Sequence, residues 1–230
     1  SVPALMAARP EKRGLLRQEL DVVKRADVVI TVSERERDVI VRETGHNQVV
    51  VWGHARDVRA PEMPFSKRRD LLFVGGFLQG HPPNTDAVMH FAHHVFPAIR
   101  QRVPDCRFVI VGPEPPGAVL RLASPHIVVT GYVDALEEYY DKCRVFVVPL
   151  RFGTGISLKL IEAMSQGIPA VVSTVGTTGL GLEDRREALI ARDDGEFVDK
   201  VVELYEDETL WAAVQRAAQD YVRRQYSSDV

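Results

Sequence analysis

The segment from Pro149 to Met164 carries the side chains best suited to chemistry in this chain. A predicted buried strand ends at Pro149, and a loop with two glycines and a threonine leads directly into a predicted helix over residues 157–166. The first turn of such a helix presents free backbone N–H groups with the positive end of the helix dipole behind them. Arg151 and Lys159 add full positive charge near that point. This pattern is typical of a site that binds a phosphate or diphosphate group.

A carboxylate follows on the same predicted helix. Glu162 comes three residues after Lys159, and side chains at this spacing share one helix face. A carboxylate about two turns into a helix whose N-terminus holds phosphate is well placed to accept hydrogen bonds from a ribose. The pattern therefore predicts a nucleoside diphosphate site, with the diphosphate on backbone amides and the ribose on Glu162. A surface ion pair between Lys159 and Glu162 on an ordinary helix is equally compatible with the pattern.

Two other glycine-containing turns depart from known nucleotide-binding fingerprints. Residues 75–80 follow a strand and precede a helix, where backbone N–H groups could meet an anion, but they lack the G-x-G-x-x-G spacing. Residues 112–117 have the glycine spacing of a P-loop without the Lys and Ser/Thr that would hold phosphate and Mg²⁺. We therefore predict no nucleoside triphosphate chemistry at the second turn.

Short β-branched apolar runs alternate with amphipathic stretches along the chain. The apolar runs predict strands over residues 27–32, 48–52, 71–75, 107–112, 126–131, 144–149 and 169–174. The helical patterns cover residues 13–24, 33–43, 84–102, 136–142, 157–166 and 196–226, the last with a break near Asp207. This alternation predicts an α/β fold with a Rossmann-like, doubly wound parallel sheet.

A proline-bearing polar stretch divides the chain. Pro61, Pro64 and the charged cluster at residues 66–69 indicate a linker over residues 56–70. The two strands and two helices before it are too few to bury an adequate core, so we predict that residues 1–55 are the tail end of a preceding domain. The main domain then covers residues 71–226. Residues 227–230 resemble a helix N-cap without its helix, and we expect the chain to be a piece of a longer protein.

Composition and charge narrow the functional classes. The 29 Lys and Arg residues are outnumbered by 32 Asp and Glu residues, so the formal charge is −3 and nucleic acid is not an expected partner. No apolar run approaches the roughly 20 residues of a transmembrane helix. The two cysteines, Cys106 and Cys143, lie far apart, which excludes a disulfide framework and fits a reducing compartment. We therefore expect a cytoplasmic location.

Several segments of the chain match, in order, the motifs of a known family. They cover residues 72–75, 81–84, 108–112, 129–133, 145–149, 162–164 and 167–169. Together they resemble the carboxyl-terminal, donor-binding domain of retaining GT-B glycosyltransferases of family four, and the resemblance covers about residues 20–226. It implies two Rossmann-like domains facing each other across a cleft. Residues 71–226 would be the nucleotide-sugar-binding domain, and residues 1–55 would end the acceptor domain.

The resemblance also implies roles for individual residues. Glu162 would bind the ribose hydroxyls, and the segment from Gly131 to Val133 would line the base pocket. Thr154 stands where the family often has a glutamate, so backbone amides around Gly155 would carry more of the contact with the diphosphate and the sugar. The donor-binding residues predicted in this way are Gly76, Gly131, Tyr132, Val133, Arg151, Thr154, Gly155, Ile156, Ser157, Lys159 and Glu162. No residue is assigned as catalytic.

We therefore expect a glycosyltransferase that moves a sugar from a nucleotide-diphosphate donor to an unassigned acceptor with retention of configuration. The sequence has no Asp-x-Asp triplet to hold a divalent metal, so we expect neither a metal nor a cofactor. Peripheral membrane contact would involve an amino-terminal domain. Two alternatives stay open: a nucleotide-sugar epimerase of the same fold, and a non-catalytic nucleotide-binding module.

Overall fold

The structure, a computed structural model, describes residues 10–31, 34–52, 55–77, 82–153 and 155–226. The chain divides into two compact units, Ser1–Ala55 and Arg56–Val230. Each unit has its own sheet and its own buried residues, and the residues predicted to bind the donor all belong to the second.

The first unit is a small α/β layer. Its elements are α1 (Pro10–Arg25), β1 (Val29–Thr31), α2 (Glu34–Thr44) and β2 (Val49–Val51). The two strands pair in parallel. Val39 and Ile40 form the buried apolar core of this unit, whereas Ile30 and Trp52 are exposed. Two strands and two helices therefore bury little apolar surface, as expected for so small a unit.

The second unit is built on a parallel sheet. Its strands are β3 (Arg69–Val74), β4 (Phe108–Val111), β5 (Ile127–Gly131), β6 (Cys143–Val148), β7 (Ala170–Ser173) and β8 (Leu189–Ala191). The strand order is β5-β4-β3-β6-β7-β8, and every neighbouring pair is parallel. Leu71 of β3 lies between Phe108 and Val145 of the neighbouring strands. This topology confirms the predicted doubly wound α/β fold.

Helices cover both faces of the sheet. They are α3 (Pro82–His90), α4 (Phe96–Arg102), α5 (Gly117–Leu120), α6 (Glu137–Lys142), α7 (Leu158–Ser165), α8 (Asp194–Glu206) and α9 (Glu208–Tyr226). Short 3-10 turns occur at Phe65–Lys67 and Thr174–Thr177. The predicted break near Asp207 is confirmed, because α8 ends before this residue. The Asp207 carboxylate caps α9 by accepting a hydrogen bond from the N–H of Leu210 (2.9 Å).

Successive residues of the central strands serve two separate cores. Leu71 and Phe73 of β3 pack into one cluster with Phe91 and Trp211, while Leu72 packs into the other with residues of α7. Adjacent strand residues point to opposite faces, so a continuous apolar run is what a strand covered by helices on both sides requires. The sheet is thereby packed on both faces beneath the loops at its carboxyl edge.

The prediction of a single α-helix over residues 84–102 is wrong in the middle of that range. A π-helical segment, Phe91–Val95, separates α3 from α4. Pro97 lies in the first turn of α4, where a missing N–H has no intrahelical partner to lose. Inside an uninterrupted α-helix the same proline would remove a hydrogen bond and clash with the preceding turn. The wider turn of the π segment is thus where the helix restarts.

Residues 56–68, inside the predicted linker range, belong to the second unit and pack against the rest of it. Arg68 is fully buried, and its guanidinium donates to the carbonyl oxygens of Tyr140 (2.6 Å) and Cys143 (3.2 Å). Arg59 reaches the carboxylate of Asp141 over 2.7 Å. β3 begins at Arg69, two residues before the predicted start of its strand. These contacts join residues more than 70 positions apart, and local composition carries no signal for them.

The two cysteines are free and buried. Burial raises the pKa of the Cys106 thiol to about 12, and it raises the pKa of Cys143 as well. A thiol with so high a pKa carries almost no thiolate at neutral pH. Both cysteines therefore act as small apolar core residues.

Candidate functional site

The strand order places one crevice at the centre of the sheet. Chain order reverses between β3 and β6, so the loop after β3 and the loop after β6 leave the sheet in opposite directions. The place where the chain order reverses is called the topological switch point. In open parallel α/β sheets, ligands bind there, outside the carboxyl ends of the strands. The loop that begins with Gly75 and the loop that begins with Pro149 border the crevice.

Glycines line one side of this edge. The N–H of Gly75 donates to the carbonyl oxygen of Val111 (2.9 Å), and the N–H of Gly112 donates to that of Gly131 (3.0 Å). A Cβ atom at Gly112 would lie only 2.0 Å from the carbonyl oxygen of Gly75. Three adjacent strands therefore end in backbone without side chains, which lets another backbone or a ligand approach closely.

The N-terminus of α7 is the part of this edge best suited to bind an anion. Ser157 is the residue before the first turn of this helix, and it is 7% exposed. Its hydroxyl oxygen is buried without a hydrogen-bond partner among the described residues. A buried hydroxyl without a protein partner is unusual, and this one is free to donate to a ligand or a water molecule. The helix dipole favours a negatively charged group at this end.

Lys159 is the second residue of α7 and points toward the loop after β3. Its Nζ donates to Oδ1 of Asn84 over 2.5 Å and lies 4.4 Å from the centroid of the Phe73 ring. A Cβ atom on Gly75 would lie 2.8 Å from the same Nζ. Burial lowers the pKa of Lys159 to about 7. The amine therefore stands at the switch point, where an anion would restore its charge.

Asn84 is a residue to which the sequence alone assigned no role. It is buried near the start of α3, where its Nδ2 donates to the carbonyl oxygen of Gly76 (2.7 Å) while its Oδ1 accepts from Lys159. The amide thereby joins the loop after β3 to α7. Asn84 lies in the segment 81–84 that matched the family motif, which was the available signal for it.

Glu162 contacts a different set of residues from Lys159. Its Oε2 accepts from Nε of Arg56 (2.5 Å) and its Oε1 from Nε2 of Gln166 (3.3 Å). The side chain remains 30% exposed. A surface ion pair between Lys159 and Glu162, the simpler interpretation of the sequence pattern, is therefore wrong, since each side chain bonds to another partner. Arg56 was assigned no role from the sequence, and no local signal could have found it, because it lies 106 positions from Glu162.

Arg151 is placed against α3 instead of beside Lys159. Its guanidinium lies 3.3 Å from a carboxylate oxygen of Asp86, and its Nη1 lies 2.8 Å from Nδ1 of His90. His90 in turn contacts Asp194 over 2.8 Å. Arg151, His90 and Asp194 border a cavity of about 230 Å³, which is also lined by Thr174. Arg151 is thus engaged in a separate ionic cluster at the carboxyl ends of β6, β7 and β8.

The segment predicted to line a base pocket lies at the end of β5. Gly131 has a φ of +73°, and the carbonyl oxygen of this residue is the one that binds the N–H of Gly112. Tyr132 is 73% exposed, and Val133 packs against the core cluster that contains α7. An exposed aromatic ring at the carboxyl edge of the sheet offers a face on which a planar base can stack.

The remaining predicted site residues border the same loops. Gly76 accepts the hydrogen bond from Asn84 through its carbonyl oxygen, Gly155 is exposed, and Ile156 packs against the core. Thr154 lies outside the described residues. The glycine positions and the α7 terminus thus lie at one edge of the sheet.

The described residues contain neither a cluster suited to a metal ion nor a helix suited to a bilayer. Across the described ranges, no group of three or more His, Cys, Asp or Glu side chains could hold a metal ion. Both ring nitrogens of His90 contact other side chains, those of Arg151 and Asp194, and both His93 and His94 are exposed. None of the helices within these ranges is both long enough and apolar enough to cross a bilayer.

The second unit therefore gathers groups of complementary chemistry at and just beyond the N-terminus of α7. A partly buried amine, an unpartnered hydroxyl and a helix N-terminus supply donors and positive charge, and a half-exposed carboxylate lies one turn further along α7. Such a set suits a ligand with an anionic group beside neutral hydroxyls.

The fold recurs in solved structures of other proteins. A Staphylococcus aureus TarM mutant in complex with fondaparinux, alpha-GlcNAc-glycerol and UDP superposes with a TM-score of 0.77 at 15% identity, over 97% of this chain and 45% of that one. Anabaena HepE in complex with UDP-glucose gives a TM-score of 0.69 at 17% identity, over 92% and 63%. These similarities show the Rossmann-like architecture of GT-B domains.

Sequence comparison gives the family. An uncharacterized 44.6 kDa protein in the cps region of Klebsiella pneumoniae is 22% identical over 168 residues, which are 69% of this chain and 43% of that protein. The chain thus spans less than half the length of this curated relative. The family model for glycosyl transferases group 1 matches residues 68–207, which is more than half of the chain. The chain therefore belongs to the family of glycosyl transferases group 1.

Proposed function

We propose that this chain supplies the donor site of a retaining glycosyltransferase of family-four type, which moves a sugar from a nucleoside diphosphate to an acceptor. The observation that carries the proposal is the meeting of Lys159, the unpartnered Ser157 hydroxyl and the α7 N-terminus at the switch point of the sheet. UDP is present in the TarM complex and UDP-glucose in the HepE complex, so a uridine nucleotide is the first donor to test.

In this proposal the diphosphate binds between the loop after β3 and the N-terminus of α7. The ammonium of Lys159 has two N–H groups left after its bond to Asn84, and Ser157 contributes its hydroxyl. When the bond between sugar and diphosphate breaks, negative charge grows on the leaving oxygen. Fixed donors and cations aimed at that oxygen lower the barrier, and the loss of one such donor costs about 3 kcal/mol.

The nucleoside occupies the remainder of the crevice. Glu162 accepts hydrogen bonds from the ribose hydroxyls, and the base lies near Gly131, Tyr132 and Val133. Gly155 and Ile156 border the sugar, with Thr154 at the position where the resembling family often has a glutamate. Arg151 contributes positive charge from the neighbouring cluster. The glycine-lined strand ends allow the diphosphate to approach the backbone.

Retention, metal independence and location belong to the same proposal. Retention is supported by the resemblance around residues 162–169, and metal-independent transfer by the lack of an Asp-x-Asp triplet in the sequence. We place the protein in the cytoplasm, with the acceptor and any peripheral membrane contact assigned to an amino-terminal domain. The family match favours transfer over the epimerase and the non-catalytic module.

Calorimetry with UDP, GDP and ADP tests the donor site. We expect one of the three to bind, and we expect Lys159→Ala to weaken that binding about a hundredfold, as for loss of a charged donor to phosphate. Glu162→Ala should weaken nucleoside diphosphate binding while leaving inorganic pyrophosphate binding unchanged. Arg102→Ala, which removes an exposed ion pair with Asp199, serves as the matched control. No binding of any of the three nucleotides contradicts the proposal.

Release of free sugar separates the enzyme from a binding module. A panel of nucleotide sugars with the best-binding base is incubated with the chain, and the anomer of the released or transferred sugar is followed by NMR. The α-anomer as first product from an α-linked donor supports retention. Nucleotide binding without any turnover, in the presence of the complete protein and its acceptors, favours the non-catalytic module.

A further inference from the structure

Arg56, the first residue of the second unit, makes both a backbone and a side-chain contact within that unit. Its backbone N–H donates to the carbonyl oxygen of Tyr226 (2.6 Å), and its side-chain Nε donates to Oε2 of Glu162 (2.5 Å). The side chain is 39% exposed, so it crosses the surface to reach the carboxylate. A backbone bond at one end and an ion pair at the other give this arginine a defined place beside α7.

The contacts of Glu162 leave acceptor capacity on both carboxylate oxygens. A carboxylate offers about four lone-pair positions, two on each oxygen. Arg56 uses one position on Oε2, and Gln166 uses one on Oε1. A donor on each oxygen restrains rotation of the carboxylate about its last bond. The position that remains on each oxygen matches a ligand with two adjacent hydroxyl groups.

We propose that Arg56 is a positioning residue that orients the Glu162 carboxylate for the vicinal diol of the ribose. This inference rests on the proposed function, in which Glu162 binds the ribose. Arg56 acts through Glu162 and does not itself touch the nucleotide. Because the carboxylate is already fixed before the ligand arrives, less conformational entropy is lost when the ribose binds.

The same contacts define an opposing hypothesis, in which Arg56 competes with the ribose for Glu162. If the ribose needed the lone pair on Oε2 that Arg56 occupies, the arginine would compete with the nucleotide. Removal of the Arg56 side chain would then tighten binding, whereas removal of a positioning residue weakens it. The sign of the change in affinity therefore separates the two roles.

Calorimetry on the 230-residue chain tests the proposal with three probes. They are the tightest binder among UDP, GDP and ADP, its 2′,3′-dideoxy counterpart, and inorganic pyrophosphate. For Arg56→Ala we expect about tenfold weaker binding of the nucleotide, the usual size for loss of one hydrogen bond to a charged group. Binding of the dideoxy nucleotide and of pyrophosphate should stay within about twofold, because neither presents a diol to Glu162.

Two further variants control for charge and for folding. Arg56→Lys keeps the positive charge but not the planar Nε donor, so it should recover only part of the lost affinity. Arg102→Ala removes an arginine of similar exposure from the surface of the same unit and should leave all three affinities unchanged. Thermal unfolding of each variant reports whether the second unit is intact.

The affinities of the Arg56 and Glu162 variants distinguish failure of the Arg56 inference from failure of the proposed function. If Glu162→Ala weakens nucleotide binding and Arg56→Ala leaves it unchanged or tighter, the role of Arg56 is overturned and the proposed function stands. If Arg56→Ala weakens pyrophosphate as much as nucleotide, its role is structural and the inference is overturned. If Glu162→Ala changes nothing, the ribose contact of the proposed function fails, and the inference fails with it.

Discussion

The Nζ atom of Lys159 lies 4.4 Å from the centroid of the Phe73 ring, at the carboxyl end of the central strand β3. The face of the ring attracts a cation, but withdrawal from water disfavours the charged amine. The second effect dominates, and burial lowers the pKa of Lys159 to about 7. Without ligand, the amine is therefore near its titration midpoint at neutral pH. An anion bound beside it would favour the protonated form, so binding and protonation are coupled.

Nucleoside diphosphate affinity should consequently fall as the pH rises above 7. The free protein must take up a proton on Lys159 before the ammonium can bind phosphate, and this costs up to about tenfold in affinity per pH unit. Calorimetry at pH 7, 8 and 9 measures the fall. Repetition in buffers of different ionisation enthalpy should show uptake of up to one proton at the higher pH values. The terminal phosphate titrates near pH 6, below this range.

A substitution of Lys159 itself provides the control for this pH series. Arg at position 159 does not lose its charge below about pH 12, so Lys159→Arg should make the affinity independent of pH between 7 and 9. Unfolding does not explain the loss, because a lysine whose pKa is lowered by folding makes the chain more stable as pH rises above 7. An unchanged affinity from pH 7 to 9 in the unaltered chain contradicts the coupling.

Asn84→Asp should shift the same titration. An aspartate at this position would accept from Lys159 as Asn84 does, and its negative charge would raise the pKa of the lysine. The carboxylate would lose the bond to the Gly76 carbonyl oxygen and would repel a diphosphate. We expect weaker binding at pH 7, by about tenfold, and a midpoint of the pH dependence that lies above the one of the unaltered chain. Asn84→Ala, without the new charge, should weaken binding with no upward shift.

The sequence predicted the sheet and the main helix of the site, because both depend on local pattern. Seven of the strands are visible as apolar runs, whereas β8, whose short apolar run lies between charged residues, was missed. The contacts that orient the site are long-range: Asn84 to Lys159 joins residues 75 positions apart, and Arg56 to Glu162 joins residues 106 positions apart. Residue type alone gives each of these side chains several equally suitable partners. Only the strand order decides which of them meet.

Gly112→Ala tests the close approach of two strand ends. A Cβ atom there would lie 2.0 Å from the carbonyl oxygen of Gly75, far inside van der Waals contact, and both partners are backbone. The strands must separate, so we expect a loss of about 3 kcal/mol in the free energy of unfolding. Urea unfolding measures it. Gly155→Ala is the matched control, since a Cβ atom at Gly155 would meet nothing within 4 Å. Equal stability of the two variants contradicts the prediction.

Sugar transfer should persist in the presence of a chelator. The sequence has no Asp-x-Asp triplet, and in the proposed function the Lys159 ammonium and the α7 N-terminus neutralise the leaving diphosphate. We therefore expect the same rate of sugar release before and after dialysis against EDTA, and no stimulation by added Mn²⁺ or Mg²⁺. Loss of activity on dialysis with recovery in Mn²⁺ would assign the charge neutralisation to a metal.

Arg68→Met should strongly destabilise the second unit. The guanidinium is fully buried and donates to three backbone carbonyl oxygens, those of Met63, Tyr140 and Cys143. Burial lowers the pKa of Arg68, although the nearby carboxylate of Asp141 opposes that shift. Methionine fills similar space but leaves these acceptors unpaired, which should cost about 3 to 5 kcal/mol. Urea midpoints at an unchanged m-value measure this cost, and exposed Arg102→Ala should shift stability by less than about 1 kcal/mol. A loss below about 1 kcal/mol in Arg68→Met would mean that residues 56–68 do not depend on Arg68 for their attachment to the sheet.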